Sequence, residues 1–117
     1  MTDDLAVIQL ALRERGMSSY QQQPNQLVVS RQRGPAWPNA GNSFWICRLE
    51  EHWYICTWAP RHYRVPSEQS VIDVCEAFVD IGTSAQWCVP ADLTARFALV
   101  ETNVDDFDRL WAAASSS

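Results

Sequence analysis

The residues best suited to chemistry sit together in one short segment, Arg61-His62-Tyr63-Arg64, fenced by Pro60 and Pro66. Two guanidiniums and an imidazole within four residues suit an anion or a carboxylate-rich partner. Arginine makes planar two-pronged bonds to such groups, and histidine changes charge near neutral pH. With a nearby acid to orient it, His62 would have the makings of a general base. No such acid is identified by the sequence around it. The plainer reading of the segment is a rigid connecting loop, with Tyr63 tucked into the core and both arginines solvated. Arg61, His62 and Arg64 are therefore contact candidates, and no residue is assigned a catalytic role.

A second set is aromatic: Trp45, Trp53, Tyr54 and Trp58, with Trp37 in the stretch before them. Trp and Tyr are enriched at binding hot spots because each covers a large area at low entropic cost. They serve equally well as core residues on a pleated sheet. The chain holds six tryptophans, more than a small core buries with ease, so Trp37, Trp45 and Trp58 join the contact candidates.

The remaining reactive side chains carry weaker signals. Cys47, Cys56, Cys75 and Cys88 include no C-x-x-C pair, and with two histidines the spacings of a zinc site are missing. Neither a metal nor another cofactor is expected. Glu50-Glu51 reads as a solvated turn, and Asp105, Asp106 and Asp108 as the acidic start of a helix. An acidic face that neutralises a basic partner is the functional alternative for these carboxylates. No Gly-rich phosphate loop, G-x-S-x-G elbow, H-E-x-x-H or EF-hand loop occurs. These absences favour a non-enzymatic protein.

The elements that must position these residues follow from periodicity. Leu5, Ile8, Ala11 and Leu12 share one face of a helix over about Asp3 to Arg15, capped by Thr2 and ended by Gly16. Ser18 to Gln26 is polar and reads as loop with a short edge strand at most. Leu27-Val28-Val29 makes a short strand, and the Gly and Pro residues between Arg31 and Asn42 make a loop. Phe44–Leu49 and His52–Trp58 carry the strongest strand signals and form a hairpin. Glu-Glu is poor chemistry for a two-residue primed turn, so a longer connection is expected. In a two-residue register, Phe44, Ile46, Arg48, Trp53, Ile55 and Thr57 share one face. Trp45, Cys47, Leu49, His52, Tyr54, Cys56 and Trp58 then share the other. Cys47 and Cys56 would be diagonal neighbours, about 7–8 Å apart and too far for a disulfide. Both faces are apolar, so either both are covered or one offers aromatics to a partner.

Beyond the hairpin, Ser67 caps a helix over about Glu68 to Ile81, with Val71, Val74, Cys75 and Phe78 as its core stripe and Gly82 as its stop. Gln86 to Val89 reads as a short edge strand and Ala91 to Phe97 as a short helix. Asn103 caps a last helix, Val104 to about Ala113, with Val104, Phe107, Leu110 and Trp111 on one face. The expected fold is α+β: an antiparallel sheet of three to four strands around the Trp-rich hairpin, packed with an N-terminal, a middle and one or two short C-terminal helices.

The chain has 117 residues, 47% of them apolar, enough for one domain with a real core. Residues 1–114 are read as that domain and 115–117 as a frayed tail. The formal charge is −5, with nine arginines and no lysine. That balance speaks against nucleic acid and anionic membranes as partners. No stretch approaches the roughly 20 apolar residues of a membrane span. An acidic N-terminus and unpaired thiols point to the cytoplasm.

In size, acidity and architecture the chain resembles small intracellular bacterial proteins, including immunity-type proteins that neutralise a toxin. Acidic charge, surplus aromatics on the two hairpin faces and the lack of a catalytic signature favour a non-enzymatic protein-binding domain, of the immunity or adaptor kind, with another protein as partner. The alternative is a small-molecule or anion-binding domain, an enzyme included, that uses Arg61–Arg64. Homodimerisation through the hairpin face or its edge is the third expectation.

Overall fold

A computed structural model describes residues 4–34, 38, 42–81 and 88–115. The first helix, α1 (Asp4–Glu14), is followed by five strands: β1 (Met17–Gln23), β2 (Gln26–Arg33), β3 (Ser43–Leu49), β4 (His52–Thr57) and β5 (Arg61–Val65). Helices α2 (Glu68–Asp80) and α3 (Ala91–Arg96) come next, then β6 (Val100–Thr102) and α4 (Val104–Ser115). The strands form one antiparallel sheet in chain order.

The α+β class and the antiparallel sheet agree with the sequence reading. The strand count does not: the sheet has six strands, where three to four are expected. β1 arises from the polar stretch read as loop with a short edge strand at most, and it runs longer than that, from Met17 to Gln23. It is an edge strand whose glutamines face solvent, so it needs few apolar residues. β5 arises from the segment read as a Pro-bounded loop. Pro60 and Pro66 fall just outside it, where a missing N–H costs no ladder bond. β6 is only three residues long, too short for a periodic signal. Of the strand expected over 86–89, only Cys88 and Val89 are described, and neither is in a strand.

The stretch after Leu27-Val28-Val29 also stays in the sheet longer than its composition suggests. β2 runs through Arg31 to Arg33, and Arg31 is buried with its guanidinium 3.9 Å from the centre of the Phe78 ring. Its Nη2 donates to the Phe78 carbonyl at 3.3 Å. The cation thus rests on an aromatic face and a helix carbonyl, which is why an arginine is tolerated there. At the edge of the same layer, Arg15 and Arg33 both pair with Glu76, at 3.1 and 3.0 Å, tying α1 and β2 to α2.

The central hairpin pairs Leu49 with His52, Cys47 with Tyr54 and Trp45 with Cys56. Its connection is the two-residue turn Glu50-Glu51, not a longer loop, and both residues adopt positive φ, 49° and 67°. Packing of the two strands outweighs the local preference of glutamate against the left-handed region.

Both hairpin faces are covered. Phe44, Ile46, Trp53 and Ile55, with Tyr63 and Val65 of β5, pack under α1, α2 and α3. Leu5, Ile8 and Leu12 of α1 and Val71, Val74, Cys75 and Phe78 of α2 complete that core. Ser67 caps α2, its Oγ accepting from the Ser70 N–H at 3.2 Å. On the opposite face Val28, Trp45, Cys47, Leu49, Tyr54 and Cys56 meet α4 through Phe107, Leu110 and Trp111. The Asn103 side chain caps α4, accepting from the Asp105 N–H at 2.8 Å. Gly82, expected to stop α2, lies outside the described residues. Among the described residues no helix is long and apolar enough to cross a membrane.

Candidate functional site

α4 is one helix on a wide sheet face, and it leaves part of that face open. Between it and the β4–β5 turn lies a cleft of about 330 Å³, lined by Gln26, Trp45, Thr57, Trp58, Pro60 and His62 of the sheet side and by Val104, Phe107, Asp108 and Trp111 of α4. Trp45 forms the floor. Its indole lies 5.5 Å from the Trp111 ring, 5.7 Å from Phe107, 5.7 Å from His62 and 5.9 Å from Trp58. Most of these contacts are edge-to-face, the arrangement favoured by ring quadrupoles.

Trp58 is the exposed member. It remains 41% accessible at the rim, beside Val104, which is also exposed. Its Nε1 donates to Ser43 Oγ at 3.0 Å. The indole is thus held in one orientation while its face is offered to solvent, a rigid anchor that loses little entropy on contact.

The walls contain three buried polar atoms without a hydrogen-bond partner: Gln26 Oε1, Trp45 Nε1 and His62 Nδ1. Buried polar groups are paired in most folded proteins, and these three all border one cleft. His62 lies flat on Phe107. Burial holds its pKa below the ordinary imidazole range, against the opposing pull of Asp108 and Glu101. The ring is therefore neutral at neutral pH, and Asp108 supplies the charge of the lining.

Of the residues expected from sequence to make contacts, the structure brings Trp45, Trp58 and His62 together here. Trp37 lies outside the described residues. Arg61 and Arg64 stand apart. Because the segment is a strand and not a loop, alternation sends His62 and Arg64 to the α4 face and Arg61 and Tyr63 to the other. Arg61 closes a two-pronged bond with Glu101 at 2.8 and 2.7 Å, which lowers the Glu101 pKa. Arg64 Nη2 lies 2.9 Å from His52 Nδ1. The Tyr63 hydroxyl accepts from the Val89 N–H at 3.4 Å, tying β5 to the residue pair that leads into α3.

Sequence reasoning missed the α4 half of the cleft. Its signal was present as the stripe Val104, Phe107, Leu110 and Trp111, but nothing in the sequence says which sheet face that stripe covers. Three of the four thiols are core residues, and Cys88 is half-buried. Cys47, Cys56 and Cys75 are buried and unbridged, and burial pushes the Cys56 and Cys75 pKa values up, away from nucleophilic thiolate. Cys47 and Cys56 stand at diagonal positions of the β3–β4 pairing, and both are free thiols. Among the described residues no His, Cys, Asp and Glu side chains cluster as metal ligands. Comparison with family models, with curated proteins and with solved structures finds no significant match to this chain.

Proposed function

We propose that this chain is a non-enzymatic protein-binding domain whose contact surface is the aromatic cleft between α4 and the β4–β5 turn. The observation that carries the reading is Trp58, an indole fixed by a hydrogen bond and yet 41% exposed at the mouth of a cleft floored by aromatic rings. Hot spots are enriched in Trp seated in well-packed surroundings. The acidic charge of the chain, −5, suits a partner with a basic surface. An immunity or adaptor role is consistent with that chemistry.

The test is a comparison of tagged wild-type protein with Trp58→Ala in affinity capture from the source cells. The expected result is a stoichiometric protein captured by the wild type and lost from the variant. Equal capture by both chains removes the cleft from the interface. A small molecule of a few hundred daltons retained in place of a protein moves the assignment to ligand binding.

A further inference from the structure

The cleft has a definite electrostatic character, and that character selects an occupant. Among the described residues its lining holds the rings of Trp45, Trp58, Phe107 and Trp111, one carboxylate, Asp108, and no arginine. His62, the remaining titratable group among the described lining residues, is kept neutral by burial and adds no positive charge at neutral pH. Aromatic faces carry negative potential and attract cations, most strongly at Trp. A planar cation that stacks on an indole and bonds through a fork to a carboxylate satisfies both features at once. Lysine, a strongly hydrated point charge, uses the ring faces less well.

We propose that the cleft receives an arginine side chain of a protein partner, its guanidinium stacked on Trp58 and paired with Asp108. This rests on the reading of the cleft as the contact surface and adds the identity of the side chain that enters it. Three properties of the cleft support it. The mouth is open enough for a side chain to enter from a partner's surface. Trp58 is already fixed by Ser43, so stacking orders little that was free. Asp108 is exposed on α4 and lines the same cleft as Trp58, which sets a carboxylate among the rings.

The experiment is an NMR titration of the full 15N-labelled chain, following the tryptophan indole N–H signals. The probes are a blocked Gly-Gly-Arg-Gly-Gly peptide, the same peptide with citrulline in place of arginine, and guanidinium chloride at matched low concentrations. Citrulline keeps the shape and loses the charge. The arginine peptide is expected to shift the Trp58 indole signal and to bind about tenfold more tightly than the citrulline peptide. Asp108→Asn is expected to erase most of that difference while leaving the rest of the spectrum, and hence the fold, unchanged. Equal affinity for arginine and citrulline overturns the proposal. So does an Asp108→Asn chain that still discriminates between them. Free guanidinium binding as tightly as the peptide overturns the assignment to a protein side chain. If no peptide binds while Trp58→Ala still abolishes partner capture, the arginine assignment fails and the protein-binding reading stands.

Discussion

The imidazole of His62 lies on the ring of Phe107 with centroids 3.8 Å apart and planes within 6° of parallel. This stack joins β5 to α4 and closes one wall of the cleft. It also sets a pH dependence. Burial lowers the folded-state pKa of His62, so the unfolded chain takes up a proton first as pH falls through about 6.5. Stability is full above that value and declines below it. The Glu101 carboxylate, depressed by Arg61, gives up its contribution at lower pH, as pH falls from the ordinary carboxylate value through the depressed one. The urea midpoint of the wild type is expected to drop between pH 7 and pH 5.5, and that of His62→Phe to drop less. Parallel declines in the two chains would contradict this account of His62.

Phe107 is the residue that seats α4. It is buried, and it contacts Trp45, Tyr54, His62 and Trp111 through its ring. Phe107→Ala is expected to cost about 3–5 kcal/mol in denaturant unfolding. His62 should then titrate nearer the ordinary histidine value, because its cover is gone. A loss under about 1 kcal/mol would mean that α4 is held by something other than this contact.

Ile55 sits at the centre of the other face, fully buried opposite Ile46 and Tyr63. Ile55→Asp places an unpaired carboxylate there and is expected to cost more than about 4 kcal/mol, leaving the chain unfolded at room temperature. Circular dichroism and a one-dimensional proton spectrum decide it. A folded spectrum close to wild type would show the face assignment to be wrong.

The Glu50-Glu51 turn holds two non-glycine residues at positive φ. Replacing them with Glu50→Asn and Glu51→Gly supplies residues that adopt this turn readily, and is expected to stabilise the chain by about 1 kcal/mol. The check is the urea midpoint. A lower midpoint than wild type would indicate that the glutamates make contacts worth more than the relief of strain.

The hairpin, its two faces and the core stripes of α1 and α2 are legible in the sequence, because they rest on strict periodicity. Phe44, Ile46 and Ile55 alternate with Trp45, Cys47 and Cys56, and the observed pairing preserves that division. The strands with little or no signal in the sequence lack such a pattern. β1 carries glutamines because an edge strand can, β5 hides between prolines, and β6 is short. The site was half legible. Trp45, Trp58 and His62 are conspicuous as residue types, but their convergence with Phe107, Asp108 and Trp111 depends on α4 crossing the sheet, a tertiary event with no local signature. The arginines of Arg61-His62-Tyr63-Arg64 looked like one group, and strand alternation divides them between two faces.

The central claim is that the cleft beside Trp58 is where a partner protein sits. Oxidative footprinting of the wild-type chain, free and in its captured complex, measures this directly at each tryptophan. In the free chain Trp58, with its exposed indole, is expected to oxidise fastest among the described tryptophans, and in the complex to be strongly protected. Trp53, buried on the opposite face, should stay unreactive in both. Trp58 oxidised as fast in the complex as in the free chain would contradict the account.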